Sequence, residues 1–153
     1  MLLFKLVKWI HVLSAITALG ANITYGIWIT RASREPAVLP FVLRSIKTID
    51  DRVANPLYAL LLLTGLTMAF MLPIPLTTPW LLTALILYAI ATLLGMAVFV
   101  PVFRRRIELL ETEGLESPKY KAIAKRGNVL GIIVGIDVVM IVFLMVVKPA
   151  LWG

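Results

Sequence analysis

The sequence predicts an all-α protein, a four-helix transmembrane bundle with both termini on the outer side (N-out/C-out). Three observations predict it. The fifty-one residues from Val53 to Phe103 carry no charged side chain. One helical crossing needs about 20 apolar residues, so this run is long enough for two. The chain of 153 residues is 61% hydrophobic, with a mean hydropathy of +0.98, well above the roughly 45–50% apolar content of soluble domains. The remaining charge is concentrated in two connections, which is how membrane topology is written into sequence. The net charge of +7 therefore reads as a topology signal and not as a nucleic-acid surface. Cysteine is absent, which excludes disulfides, thiolate catalysis and cysteine-ligated clusters.

The first span covers residues 6–29. Lys5 and Lys8 precede its apolar run, as in a signal peptide, but Trp9 to Thr30 is 22 residues, longer than an h-region of about 7–15. It is expected to be a retained helix. The connection Arg31–Ala54 carries Arg31, Arg34, Arg44, Lys47 and Arg52. Within it, Pro40–Val53 places Phe41, Ile46, Ile49 and Val53 on one side, with Arg44, Lys47, Asp51 and Arg52 between them. That pattern predicts a short cytoplasmic interfacial helix between the first two spans.

The second span covers 55–72. Pro73, Pro75 and Pro79 then mark an uncharged turn at Leu72–Pro79, and the third span follows at 80–103. The connection Phe103–Asn128 carries Arg104, Arg105, Arg106, Lys119, Lys121, Lys125 and Arg126. Its first part, Arg105–Glu116, mixes arginines with glutamates and reads as a solvated helical extension of the third span. The fourth span covers 129–148. Gly127, Gly131 and Gly135 recur every four residues, the small-residue spacing of close helix approach, within the bundle or between subunits. The positive-inside rule places both basic connections in the cytoplasm, against Lys5, Lys8 and Lys148 outside. The expectation is one integral-membrane domain over 1–153, multi-pass, with the lipid bilayer as partner and no nucleic acid. A homo-oligomer and a larger membrane complex both stay open.

Ionisable groups at membrane depth are functional candidates by default. This chain has two, His11 and Asp137. His11 is the one histidine and sits a turn in from Lys8. Ser14, Ala15, Ala18, Asn22 and Tyr25 continue its stripe at helical spacing, small and polar enough to face other helices. A neutral imidazole there suits ligation of haem iron or another metal. It equally suits a buried histidine bonded to a neighbouring carbonyl or hydroxyl. Counting 1.5 Å per residue inward from Lys148 places Asp137 level with Asn22, Thr64 and Thr92, and roughly 12 Å vertically from His11. Asp137 thus reads as a neutral acid in an intramembrane polar layer of Asn22, Thr64, Thr92 and Asp137, or as a proton relay.

Asp51-Arg52-x-x-Asn55-Pro56, Thr64-Gly65, Leu76-Thr77-Thr78-Pro79-Trp80-Leu81, Leu87-Tyr88 and Leu144-Met145-Val146-Val147-Lys148-Pro149 follow one another in an order that resembles the bacterial integral-membrane family called domain of unknown function 2269. The resemblance spans nearly the whole chain and implies the bacterial cytoplasmic (inner) membrane. More distantly, Lys8-Trp9-Ile10-His11-Val12 is similar to the opening of the four-helix membrane protoporphyrinogen oxidases and of the copper-resistance D membrane domains. Arg126-Gly127-Asn128 with Val146-Val147-Lys148-Pro149 is similar to the last helix of those oxidases. That resemblance implies haem b on His11, with Lys8 and Lys148 meeting its propionates. The chain departs from the oxidases at Trp80-Leu81-Leu82-Thr83-Ala84-Leu85, which has no histidine. A haem would then take Met68, Met96 or another subunit's His11 as sixth ligand, or be five-coordinate.

Three functional classes follow. One is a small haem or redox protein using His11, Lys8 and Lys148. The second is a non-catalytic accessory subunit or scaffold held together by Asn22 and Asp137. The third is a proton or solute permease with Asp137 as the titrating group; no repeat or broken helix in the sequence supports it.

Overall fold

The computed structural model describes residues 1–152. Six helices make four rods: α1 (Leu2–Ala32), α2 (Leu39–Ile49), α3 (Asn55–Met71), α4 (Pro79–Leu94), α5 (Val100–Thr112) and α6 (Pro118–Val147). All four rods are long and apolar enough to cross a membrane, and no strand occurs among the described residues. The α2 and α3 helices run on through a single π-helical turn, Asp50–Ala54, and α4 and α5 through another, Gly95–Phe99. Each π turn leads into a proline, Pro56 or Pro101. Proline has no N–H to offer the carbonyl four residues back, here Arg52 or Ala97. A wider turn absorbs the defect, with Asn55 N–H reaching Asp50 O and Val100 N–H reaching Gly95 O.

The rods therefore run beyond the hydropathy limits. The fourth begins at Pro118, well before 129, because Ser117 caps it: Ser117 Oγ accepts from Lys119 N–H at 3.2 Å and from Tyr120 N–H at 3.5 Å. Gly114, at φ 82°, makes the preceding reversal that a side chain would strain. The helical extension expected after the third span is present as α5. It is not wholly solvated, because Arg106 is only 3% exposed.

Within the bundle α1 packs along α3, and α4 along α6. Further along the same two rods Gly127 of α6 faces Val102 of α5 and Gly131 faces Phe99 of the π turn, where an added Cβ would lie 3.6 and 3.8 Å from those side chains. Gly135 has nothing within 4 Å of that position, so two of the three glycines serve packing inside the bundle. Consecutive α3 and α4 have no Cα pair within 8 Å and meet through one hydrogen bond, Tyr88 Oη donating to Tyr58 O at 2.8 Å.

The closest packing lies at the charged end. There Tyr25, Leu39, Leu43, Ile46, Phe103 and Tyr120 form one buried cluster. The sequence pattern puts Phe41, Ile46, Ile49 and Val53 on one side of the helix before α3. In the structure Leu39, Leu43 and Ile46 are buried, and Phe41, Ile49 and Val53 are exposed. The α2 helix leans on α1 and α5, so its inward face is set by those neighbours. It is also continuous with the second rod rather than a separate element between two spans.

Candidate functional site

The stripe on α1 faces inward as its spacing requires: Ser14, Ala18 and Tyr25 are buried, and His11, Ala15 and Asn22 are half-buried. His11 meets α3 at Thr64-Gly65. Its Nδ1 lies 2.8 Å from Thr64 Oγ1. The Thr64 hydroxyl is already committed, donating to the Leu60 carbonyl at 2.6 Å. Thr64 therefore accepts, Nδ1 carries the ring proton, and Nε2 keeps its lone pair. Nε2 makes no side-chain hydrogen bond among the described residues, and the Leu61 carbonyl also lies against the ring. Gly65 is what admits the ring: a Cβ there would lie 3.2 Å from His11 Cε1. A hydroxyl bonded to one ring nitrogen in this way orients the imidazole.

Eleven residues further along α1, Asn22 Nδ2 donates to Tyr58 Oη and, at 3.0 Å, to the Ala18 carbonyl. Tyr88 then joins the backbone of Tyr58 at 2.8 Å. This chain of polar contacts links α1, α3 and α4. Tyr58 was missed in the sequence and Tyr88 noted only as part of a motif. The available signal was a tyrosine inside an apolar run, since a buried phenol needs a partner.

Asn22, Thr64, Thr92 and Asp137 share no hydrogen bond with one another among the described residues. Thr64 bonds His11, and Asn22 bonds Tyr58. Thr92 is exposed and donates to the Tyr88 carbonyl at 2.8 Å. Asp137 Oδ2 is buried with no hydrogen-bond partner. Depth counting treats every helix as vertical, whereas helix tilt shifts levels by several ångströms over a span.

Lys8 is exposed. Lys148 caps α6 in the left-handed conformation at φ 49°, and its Nζ lies 5.2 Å from the centre of the Trp80 ring, a cation–π distance. Met96 is 72% exposed on the second π turn. Met68 is one helical turn from Thr64 and half-buried. No group of three or more His, Asp or Glu side chains able to hold a metal occurs among the described residues.

At the charged end Arg106 is buried without a carboxylate. Its Nη1 donates to Asn128 Oδ1 at 3.0 Å. Its guanidinium carbon lies 5.9 Å from the Tyr120 ring centre, and Nε has no partner. Reading Arg106 as one more loop cation missed this, because charge counts do not show which face of a helix a residue occupies.

A family model described as predicted integral membrane protein (DUF2269) matches residues 5–149. No curated protein and no solved structure matches the chain.

Proposed function

We propose that this chain, which belongs to the integral-membrane family DUF2269, is a small multi-pass protein of the bacterial cytoplasmic membrane whose His11 is a ligand through Nε2, with haem b as the group held. One observation carries the reading. Thr64 fixes the Nδ1–H tautomer, Gly65 seats the ring, and Nε2 is left with a free lone pair. The sequence offers no competing imidazole or thiolate. Haem b would supply one-electron redox chemistry there. His11 would hold the group, Lys8 would meet a propionate, and Lys148 could do so only by leaving Trp80. Met68, one helical turn from Thr64, would be a further residue able to hold it, whereas Met96 is exposed on the π turn.

The test is spectroscopic. Protein expressed with a haem precursor in excess should purify with a Soret band and a positive pyridine haemochrome assay. His11→Ala should lose both, and Thr64→Val should weaken haem retention by freeing the ring. A colourless wild type, or equal colour in His11→Ala, would sink the proposal. The accessory-subunit reading would then lead. What favours it is the Asn22–Tyr58–Tyr88 chain, which joins three helices. The isolation of Asp137 gives the permease reading no support.

A further inference from the structure

We propose that the groove between the second π turn and α6 binds one anionic phospholipid. The groove has a volume of about 290 Å³. Its floor is apolar, from Ala97, Pro101, Val102 and Ile123, and Arg105 and Arg126 line the same space. Its position along the rods matches a lipid. The floor residues Ala97 to Val102 close the uncharged run, and the arginines begin just past it at Arg104. With Gly127 level with Val102, Arg126 stands at the same boundary as Arg105. An acyl chain would lie on the floor while the phosphate meets two guanidiniums, which present fixed donor pairs to phosphate oxygens.

The charge is available. Arg126 has no ion-pair partner among the described residues. Arg105 pairs only with Glu108 at 2.5 Å, both side chains half exposed, and such a pair is weak enough to exchange. The groove owes its shape to the proline defect. The π turn and Pro101 leave a locally widened, irregular helix surface, and π turns recur at binding sites. Basic pockets between helices at the membrane boundary commonly take anionic headgroups.

Native mass spectrometry of the detergent-purified full chain tests this, with phosphatidylglycerol and phosphatidylcholine of identical acyl chains as probes. Phosphatidylglycerol should be retained roughly tenfold or more over phosphatidylcholine. Arg126→Gln and Ala97→Phe, on the two rods that border the groove, should each remove the preference. Arg104→Gln, off the groove, should keep it. Arg126 is exposed, so its variant should fold even if Ala97→Phe does not. Equal retention of both lipids would overturn the proposal. So would an equal loss in Arg104→Gln, which indicates diffuse surface charge, or displacement of phosphatidylglycerol by millimolar inorganic phosphate, which indicates a soluble anion.

Discussion

Thr64 and Gly65 act together on His11, and each can be separated from the other. Thr64→Val leaves the Nδ1–H without an acceptor in a low-dielectric setting, at about 1–3 kcal/mol. The expected result is a lower melting temperature in detergent, with Thr64→Ser restoring it. Gly65→Leu should displace the ring outright. Asp137 gives a prediction of the opposite sign. An unpaired charge at that depth costs several kcal/mol. With no partner for Oδ2, Asp137→Leu should be neutral or stabilising, and a large loss of melting temperature would show that a bond exists after all. The inward face of α1 was legible in the sequence because His11, Ser14, Ala18 and Tyr25 repeat at helical spacing. The partners were not. Nothing local to Thr64 shows that it lies across from His11, because that depends on tilt and rotation between helices.

Helix ends were legible where chemistry marks them and obscure where hydropathy does. Pro79 opens α4 as its position predicts, whereas α6 starts at a Ser117 cap hidden inside a charged connection. Glu113 adds a pH dependence to that cap. Hydrogen bonds from Lys119 Nζ and Ser117 Oγ, at 2.8 and 2.7 Å, hold Glu113 below the usual carboxylate range. A carboxylate depressed on folding contributes stability above its ordinary pKa of about 4.3 and loses it as pH falls through the lower folded value. Hydrogen exchange of residues 113–120 should therefore speed up selectively below about pH 4, and Glu113→Gln should abolish that change. The α6 glycines form a second graded series. Gly135→Ala should stabilise by roughly 0.5–1 kcal/mol, the helix propensity difference. Gly131→Leu and Gly127→Leu should lower the melting temperature through Phe99 and Val102, while Gly135→Leu should not.

The whole molecule is asymmetric along its long axis. Large apolar side chains such as Trp9, Ile23, Phe70 and Leu93 lie exposed along the rods, as lipid immersion requires, while the dense cluster sits among the basic residues. Positive charge at that end predicts that it faces the cytoplasm. A reporter active only outside the cytoplasm should work when fused after the last residue, and a working cytoplasmic reporter there would invert the orientation.

The same cluster draws on Tyr25 from the first rod and Tyr120 from the last. During synthesis, the first three rods emerge from the ribosome before Tyr120 does. Until then Leu39, Leu43 and Phe103 have no complete cover. The final helix thus acts as the closing step of assembly, and a chain interrupted before Pro118 presents an uncovered apolar surface to the proteases of its compartment.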